Sequence, residues 1–176
     1  MLWLYTCVVM SRIRRIAECN RFFFITTNLS NNVPFLRPAE MDLLLGILGA
    51  VRRSIGFLLL GYVVMPDHCH LLFVTRTDSL SHIMHQWKFK GGYAVQHHRH
   101  HSGPFWQPRY FDSICRRTRD VSKKLLYIHQ NPVTRNLAIH PEDWKWSSAA
   151  SYQNKGQSPL EPDCLDLSAD PDELLW

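Results

Sequence analysis

The stretch from Phe57 to Thr75, FLLLGYVVMPDHCHLLFVT, constrains this chain more than any other. Two apolar runs of strand length meet at Pro66-Asp67, a turn-forming pair, which predicts an antiparallel hairpin. Successive strand residues point to opposite faces, and both runs are apolar on both. Such a hairpin needs cover on each side, so it is expected at the centre of a sheet. The exceptions are His68 and His70, which share one face while Cys69 takes the other. Two imidazoles then converge on one point, which suits a divalent cation. Taken alone the pair is a weak signal, because histidines at a strand start are commonly just hydrogen-bonded polar residues.

The flanking sequence supplies the remaining elements. Arg21 to Asn28 is aromatic and β-branched and predicts a strand. From Pro38, the spacing of Met41, Leu44, Leu45, Leu48 and Val51 predicts an amphipathic helix closed by Gly56. Ser79 to about His98 predicts a second helix with Ile83, Trp87 and Tyr93 inward, weakened or bent at Gly91-Gly92. Phe105 to Phe111 predicts an edge strand limited by Pro104 and Pro108. A last helix is expected from about Arg119 to Gln130 on a stripe of Val121, Leu125 and Ile128, ended by Pro132. This βαββαβ-like order predicts an α+β fold: a ferredoxin-like antiparallel sheet with helices packed on it and an added C-terminal tyrosine-bearing helix.

With 176 residues and 45% hydrophobic content, the chain has room for one domain with a real core. That domain is expected over residues 12–152. Residues 1–11 are expected to be a non-native or flexible extension, since Met10 offers a second start, and 153–176 an acidic, loose tail. Twenty Lys+Arg against fifteen Asp+Glu give +5, and the acids gather in EPDCLDLSADPDELLW, so the remainder is more basic still. A polyanionic partner is favoured. Five cysteines without a CxxC pair argue against a disulfide framework or zinc knuckle and for a reducing cytosol. The apolar opening MLWLYTCVV lacks a basic leader and is far shorter than the roughly 20 residues that cross a bilayer, so no membrane segment is expected.

Tyr127 opens the run YIHQNP on the last helix. It shares a face with Asn131, four residues on, and with Lys123, four residues back. A phenol is a poor nucleophile at neutral pH, so a nearby cation, Lys123, Lys124 or a metal, would help it attack a phosphate. Without the histidines, Tyr127 would be read as a half-buried aromatic. Asn131 precedes a proline and reads equally well as a helix C-cap. Asp67 could orient a histidine or simply make the turn.

Together these residues resemble a known family. VVMPDHCHLLF, WQPRYFD, LLYIHQNPVTRNLA and DWKWSSAASY are similar to the motifs of the single-tyrosine HUH transposases, and within them to the REP-associated tyrosine transposases of bacteria. The resemblance spans roughly Arg12 to Tyr152. It implies that His68, His70 and Asn131 hold a divalent metal, Mg²⁺ or Mn²⁺, and that Tyr127 is the nucleophile. Imidazole ligands lean toward manganese, since magnesium prefers oxygen.

The reaction implied is cleavage and rejoining of single-stranded DNA beside hairpins, at REP or insertion-sequence ends, through a 5′-phosphotyrosine intermediate. Arg109, Arg116, Arg117, Arg119, Lys123 and Lys124 cluster before and on the tyrosine helix and are the expected phosphate contacts. Arg12, Arg14 and Arg15 form a second basic arm. The resemblance implies a bacterial cytoplasm, near the nucleoid, and fits either a monomer or a homodimer. The alternative is a non-catalytic single-stranded nucleic-acid-binding module on the same fold, which needs neither the histidines nor the tyrosine. Trp87, Lys88, Lys90 and Tyr93 could stack on unpaired bases, although aromatics at helical spacing usually belong to a core. The tract His97 to His101 reads as a solvated turn rather than a ligand set.

Overall fold

The computed structural model describes residues 21–76, 78–153 and 157–163. The proposed extension, the start at Met10 and the arm at Arg12, Arg14 and Arg15 lie outside them. Four strands, β1 (Phe22–Asn28), β2 (Leu58–Val64), β3 (His68–Val74) and β4 (Phe111–Cys115), form one antiparallel sheet in the order β2-β3-β1-β4. Three long helices, α1 (Pro38–Ile55), α2 (Leu80–His98) and α3 (Thr118–Thr134), connect or follow them. This is the expected α+β architecture, with the strand order of a ferredoxin-like sheet.

The sheet is covered on both faces. Ile25, Leu59, Tyr62, Cys69, Leu71 and Phe73 pack with Leu44, Leu48, Met84 and Trp87 of α1 and α2. Phe22, Phe24, Leu60, Val63, Leu72 and Val74 pack with Val121, Leu125 and Ile128 of α3. Helix α3 sits close because β2 carries Gly61 beneath it. A Cβ at Gly61 would lie 2.4 Å from Leu125 Cδ1, inside any tolerable contact.

Several expectations are corrected. β2 is an edge strand, not a central one. Its apolar faces are still covered, and its free edge is taken by the DWKWSSAASY segment. Val64 N–H donates to Trp146 C=O at 2.9 Å, Ser148 N–H donates to Tyr62 C=O at 3.1 Å, and Tyr62 N–H donates to Ser148 Oγ at 3.0 Å. That segment ends in a short helix, α4 (Ala149–Tyr152). Residues 157–163, part of the expected loose tail, also lie along this edge: Asp163 N–H donates to Leu59 C=O and its carboxylate accepts Leu59 N–H.

The strand expected at Phe105–Phe111 is displaced to Phe111–Cys115. Pro104 and Pro108 cannot donate to a ladder, so residues 105–107 make only an isolated bridge, Leu29 to Trp106. Helix α2 runs unbroken through Gly91-Gly92, and Tyr93 is exposed rather than inward. Helix α3 passes through Pro132 to Thr134. The missing N–H forfeits one bond near the helix end, while Pro132 is buried.

Candidate active site

The site forms where α3 crosses β3 and β1. In the antiparallel register, Thr26 of β1 stands opposite His70 and Asn28 opposite His68. His68 and His70 are buried on the α3 face, with ring centroids 4.7 Å apart, and Cys69 is buried on the other face. Period two therefore separates the polar pair from the apolar core.

Each imidazole is held at its Nδ1. His68 Nδ1 lies 2.6 Å from Asp67 Oδ1, and His70 Nδ1 lies 2.9 Å from Thr26 Oγ1. On the far side, Asn131 Nδ2 donates to His70 Nε2 at 3.1 Å, which assigns the Nδ1–H tautomer to His70. Burial, reinforced by His68, pushes His70 down to about 3, so it stays neutral near pH 7 with an electron pair on Nε2.

Tyr127 lies one turn before Asn131 with its ring 5.1 Å from that of His70, and at 51% exposure it remains open to solvent. Phe24 is the platform beneath. It stacks on His70 at 5.4 Å, meets Tyr127 edge-on at 5.9 Å, and carries the Lys124 ammonium 4.2 Å above its ring.

The atoms fit a cation. With both Nδ1 atoms engaged, His68 Nε2, His70 Nε2 and Asn131 Oδ1 are the electron pairs a cation could use, His70 Nε2 by giving up the hydrogen bond it accepts from Asn131 Nδ2. Asn131 Oδ1 is buried with no hydrogen-bond partner among the described residues, as a carbonyl awaiting a metal would be. No three His, Cys, Asp or Glu side chains among the described residues make such a cluster, and the group that faces the imidazole pair from α3 is the Asn131 amide. Asn131 sits inside α3 and is not its C-cap, which falls at Arg135.

The matched region runs from the start of β1 to Asn131. Residues 22–131 match the family described as "Transposase IS200 like".

The chain belongs to the IS200-like transposase family. This transposase is 27% identical over 164 residues to the REP-associated tyrosine transposase of Escherichia coli (strain K12), covering 91% of this chain and 96% of that protein. It also resembles the solved structure of the REP-associated tyrosine transposase bound to a REP hairpin, with a TM-score of 0.69 at 25% identity over 90% of this chain and 93% of that one. As an IS200-like transposase it is an enzyme that acts on DNA. Among its described residues no helix is long and apolar enough to cross a membrane.

Of the basic residues read as DNA contacts, Lys124 alone joins the ring cluster around Tyr127. Arg116, Arg117, Arg119 and Lys123 are exposed along the start of α3, and Arg109 is exposed in the loop before β4. Three residues of the transposase site were missed. Phe24 and Thr26 are alternate positions of a hydrophobic strand, and only its pairing register places them at His70. Arg135 lies 3.6 Å from Asp67 Oδ2, tying the end of α3 to the β2–β3 turn.

Proposed function

We propose that this transposase cleaves and rejoins single-stranded DNA beside a hairpin, with Tyr127 as the nucleophile and 12–152 as its working domain. The carrying observation is the placement of a half-exposed tyrosine ring 5.1 Å from His70, on the helix whose Asn131 bonds that imidazole. The Tyr127 oxygen attacks the scissile phosphorus, forming a phosphotyrosine bond to the 5′ end as the bond to the 3′ oxygen breaks. The departing oxygen takes a proton and becomes a free 3′-hydroxyl, whose attack on the phosphotyrosine reverses the step. Lys124, above Phe24, offsets charge developing on the phenolic oxygen. Asp67 and Thr26 orient the imidazoles.

His68, His70 and Asn131 would hold a divalent metal, Mn²⁺ or Mg²⁺. When bound, it would polarise the non-bridging phosphate oxygens and align the bond. Arg116, Arg117, Arg119 and Lys123 would receive the flanking phosphates along the start of α3, with Arg109 further along the strand's path. Tyr127 and both imidazoles stand together within one chain, which supports cleavage within a monomer or within each protomer of a homodimer. The hairpin substrate follows from the relative solved with a REP hairpin, and the setting is the bacterial cytoplasm near the nucleoid.

The test is incubation with end-labelled hairpin oligonucleotides and Mn²⁺, followed by boiling in detergent. A 3′ label is expected to travel with the protein and a 5′ label to leave on the released strand. Tyr127→Phe should abolish the adduct while changing hairpin affinity by less than about twofold, because it removes one oxygen and little surface. Binding without an adduct across several candidate ends would favour the non-catalytic module.

A further inference from the structure

Helix α2 carries aromatic rings on its exposed face as well as its buried one. Its buried face carries Gly91 and Gly92 beside Ile83, Met84, Trp87 and Val95, and Gly91 lets it approach α1 so closely that a Cβ there would meet Leu44 at 2.8 Å. Apart from the buried Trp87, its rings point outward. His85, Phe89, Tyr93 and His97 follow four-residue spacing along one exposed rank, with Phe89 66% and Tyr93 65% exposed. His85 stacks on Phe89 at 5° with centroids 6.0 Å apart, and Tyr93 meets His97 at 6.1 Å. Four flat groups thus line about 18 Å of helix.

The helix's own side chains carry charge of one sign. From Leu80 to His101 there is no Asp or Glu, against Lys88, Lys90, Arg99 and six histidines. Lys90 is exposed between Phe89 and Tyr93, and Lys88 reaches across to the Gln107 carbonyl at 2.8 Å. A solvated helix face ordinarily interleaves acids with bases and does not leave aromatic rings in water. Arg99 is held by Glu40 and His82 by Asp78, whereas Lys88 and Lys90 have no carboxylate partner among the described residues. Rings without sequence preference beside these two lysines match an unpaired nucleic-acid strand, whose bases stack while its phosphates meet the charges.

We propose that the His85–Phe89–Tyr93–His97 rank on α2 is a stacking platform for single-stranded DNA. It lies on the α1/α2 layer, across the sheet from Tyr127, and so holds a part of the strand away from the cut. The inference rests on the proposed DNA substrate, and binding is measured separately from cleavage.

The probe is fluorescein-labelled oligo(dT) of twenty nucleotides, with an abasic strand of equal length as control. Phe89→Ala and Tyr93→Ala are each expected to weaken oligo(dT) binding about tenfold. Both should change abasic-strand binding by less than about twofold and leave the melting temperature unmoved, because both rings are exposed. The adduct yield at saturating oligonucleotide should also stay unchanged. Equal loss on the abasic strand, no loss on either, or no binding of oligo(dT) by the unaltered protein overturns the platform. So does a dimer that the substitutions convert to monomer with DNA binding intact, since the rank would then be covered by a second copy. A protein that forms no adduct yet shows the ring-dependent loss keeps the platform and loses the Tyr127 chemistry.

Discussion

The two faces of β3 differ more than the seven residues between them would suggest. Toward α1 and α2 the strand presents Cys69, Leu71 and Phe73, all buried in one apolar cluster. Toward α3 it presents His68 and His70 before returning to Leu72 and Val74. Neighbouring residues of one strand therefore serve opposite ends, apolar packing on one side and the proposed metal site on the other. The separation depends on register, because a slip of one residue would exchange the faces completely.

The contrast is broken most severely at the histidines. His70→Ala, or His68→Ala, should reduce adduct formation below detection and lower Mn²⁺ affinity together. Cys69→Ala, one residue away, should cost only about 1 kcal/mol of stability and leave the adduct intact. If the histidine variants unfold instead, by thermal melting, the imidazoles are structural.

Acid should act through the α3 face. Burial holds His70, with His68 adding to the effect, down to about 3, and burial alone holds His129 on the same helix down to about 3. Unfolded histidine titrates near ~6.5, so below that the unfolded chain binds protons the native one refuses. Stability is then complete above about 6.5 and falls as pH drops toward 3. Urea midpoints between pH 7 and pH 5, above the carboxylate range, should decline, and a midpoint that rose over that interval would contradict the assignment.

Smaller effects sharpen the comparison. Asp67→Asn weakens the hold on His68 and should lower Mn²⁺ affinity about 10–100-fold, read by calorimetry. Gly61→Ala pushes against Leu125 beneath α3 and should cost about 1–3 kcal/mol by chemical denaturation, with a fall in adduct rate as Tyr127 and Asn131 shift together. An unchanged adduct rate in Gly61→Ala would mean that α3 need not sit so close.

Much of this site was legible in the sequence because its signals are local. Strand alternation separated His68 and His70 from Cys69, and helical spacing put Tyr127 and Asn131 on one face. What escaped depends on which elements meet. Phe24 and Thr26 look like ordinary strand residues until β1 pairs with β3. The apolar hairpin suggested a central position, yet β2 is an edge whose cover comes from residues some 85 positions later, Trp146 to Ser148. Pro132 would end a helix by local rule, yet α3 carries it near its C-terminal end, where one backbone bond is forfeited. Arg99, inside a histidine tract read as a solvated turn, binds the buried Glu40 through both carboxylate oxygens. Burial raises that carboxyl, but Arg99 and Arg37 together outweigh it and hold it at about 2.

Peptide mapping of the boiled protein–DNA adduct tests the central claim most directly. A single modified peptide carrying a 5′-linked nucleotide on Tyr127, absent when His70 is replaced by Ala in a folded protein, is the predicted result. A nucleotide on any other side chain, or an adduct that survives Tyr127→Phe, would contradict it.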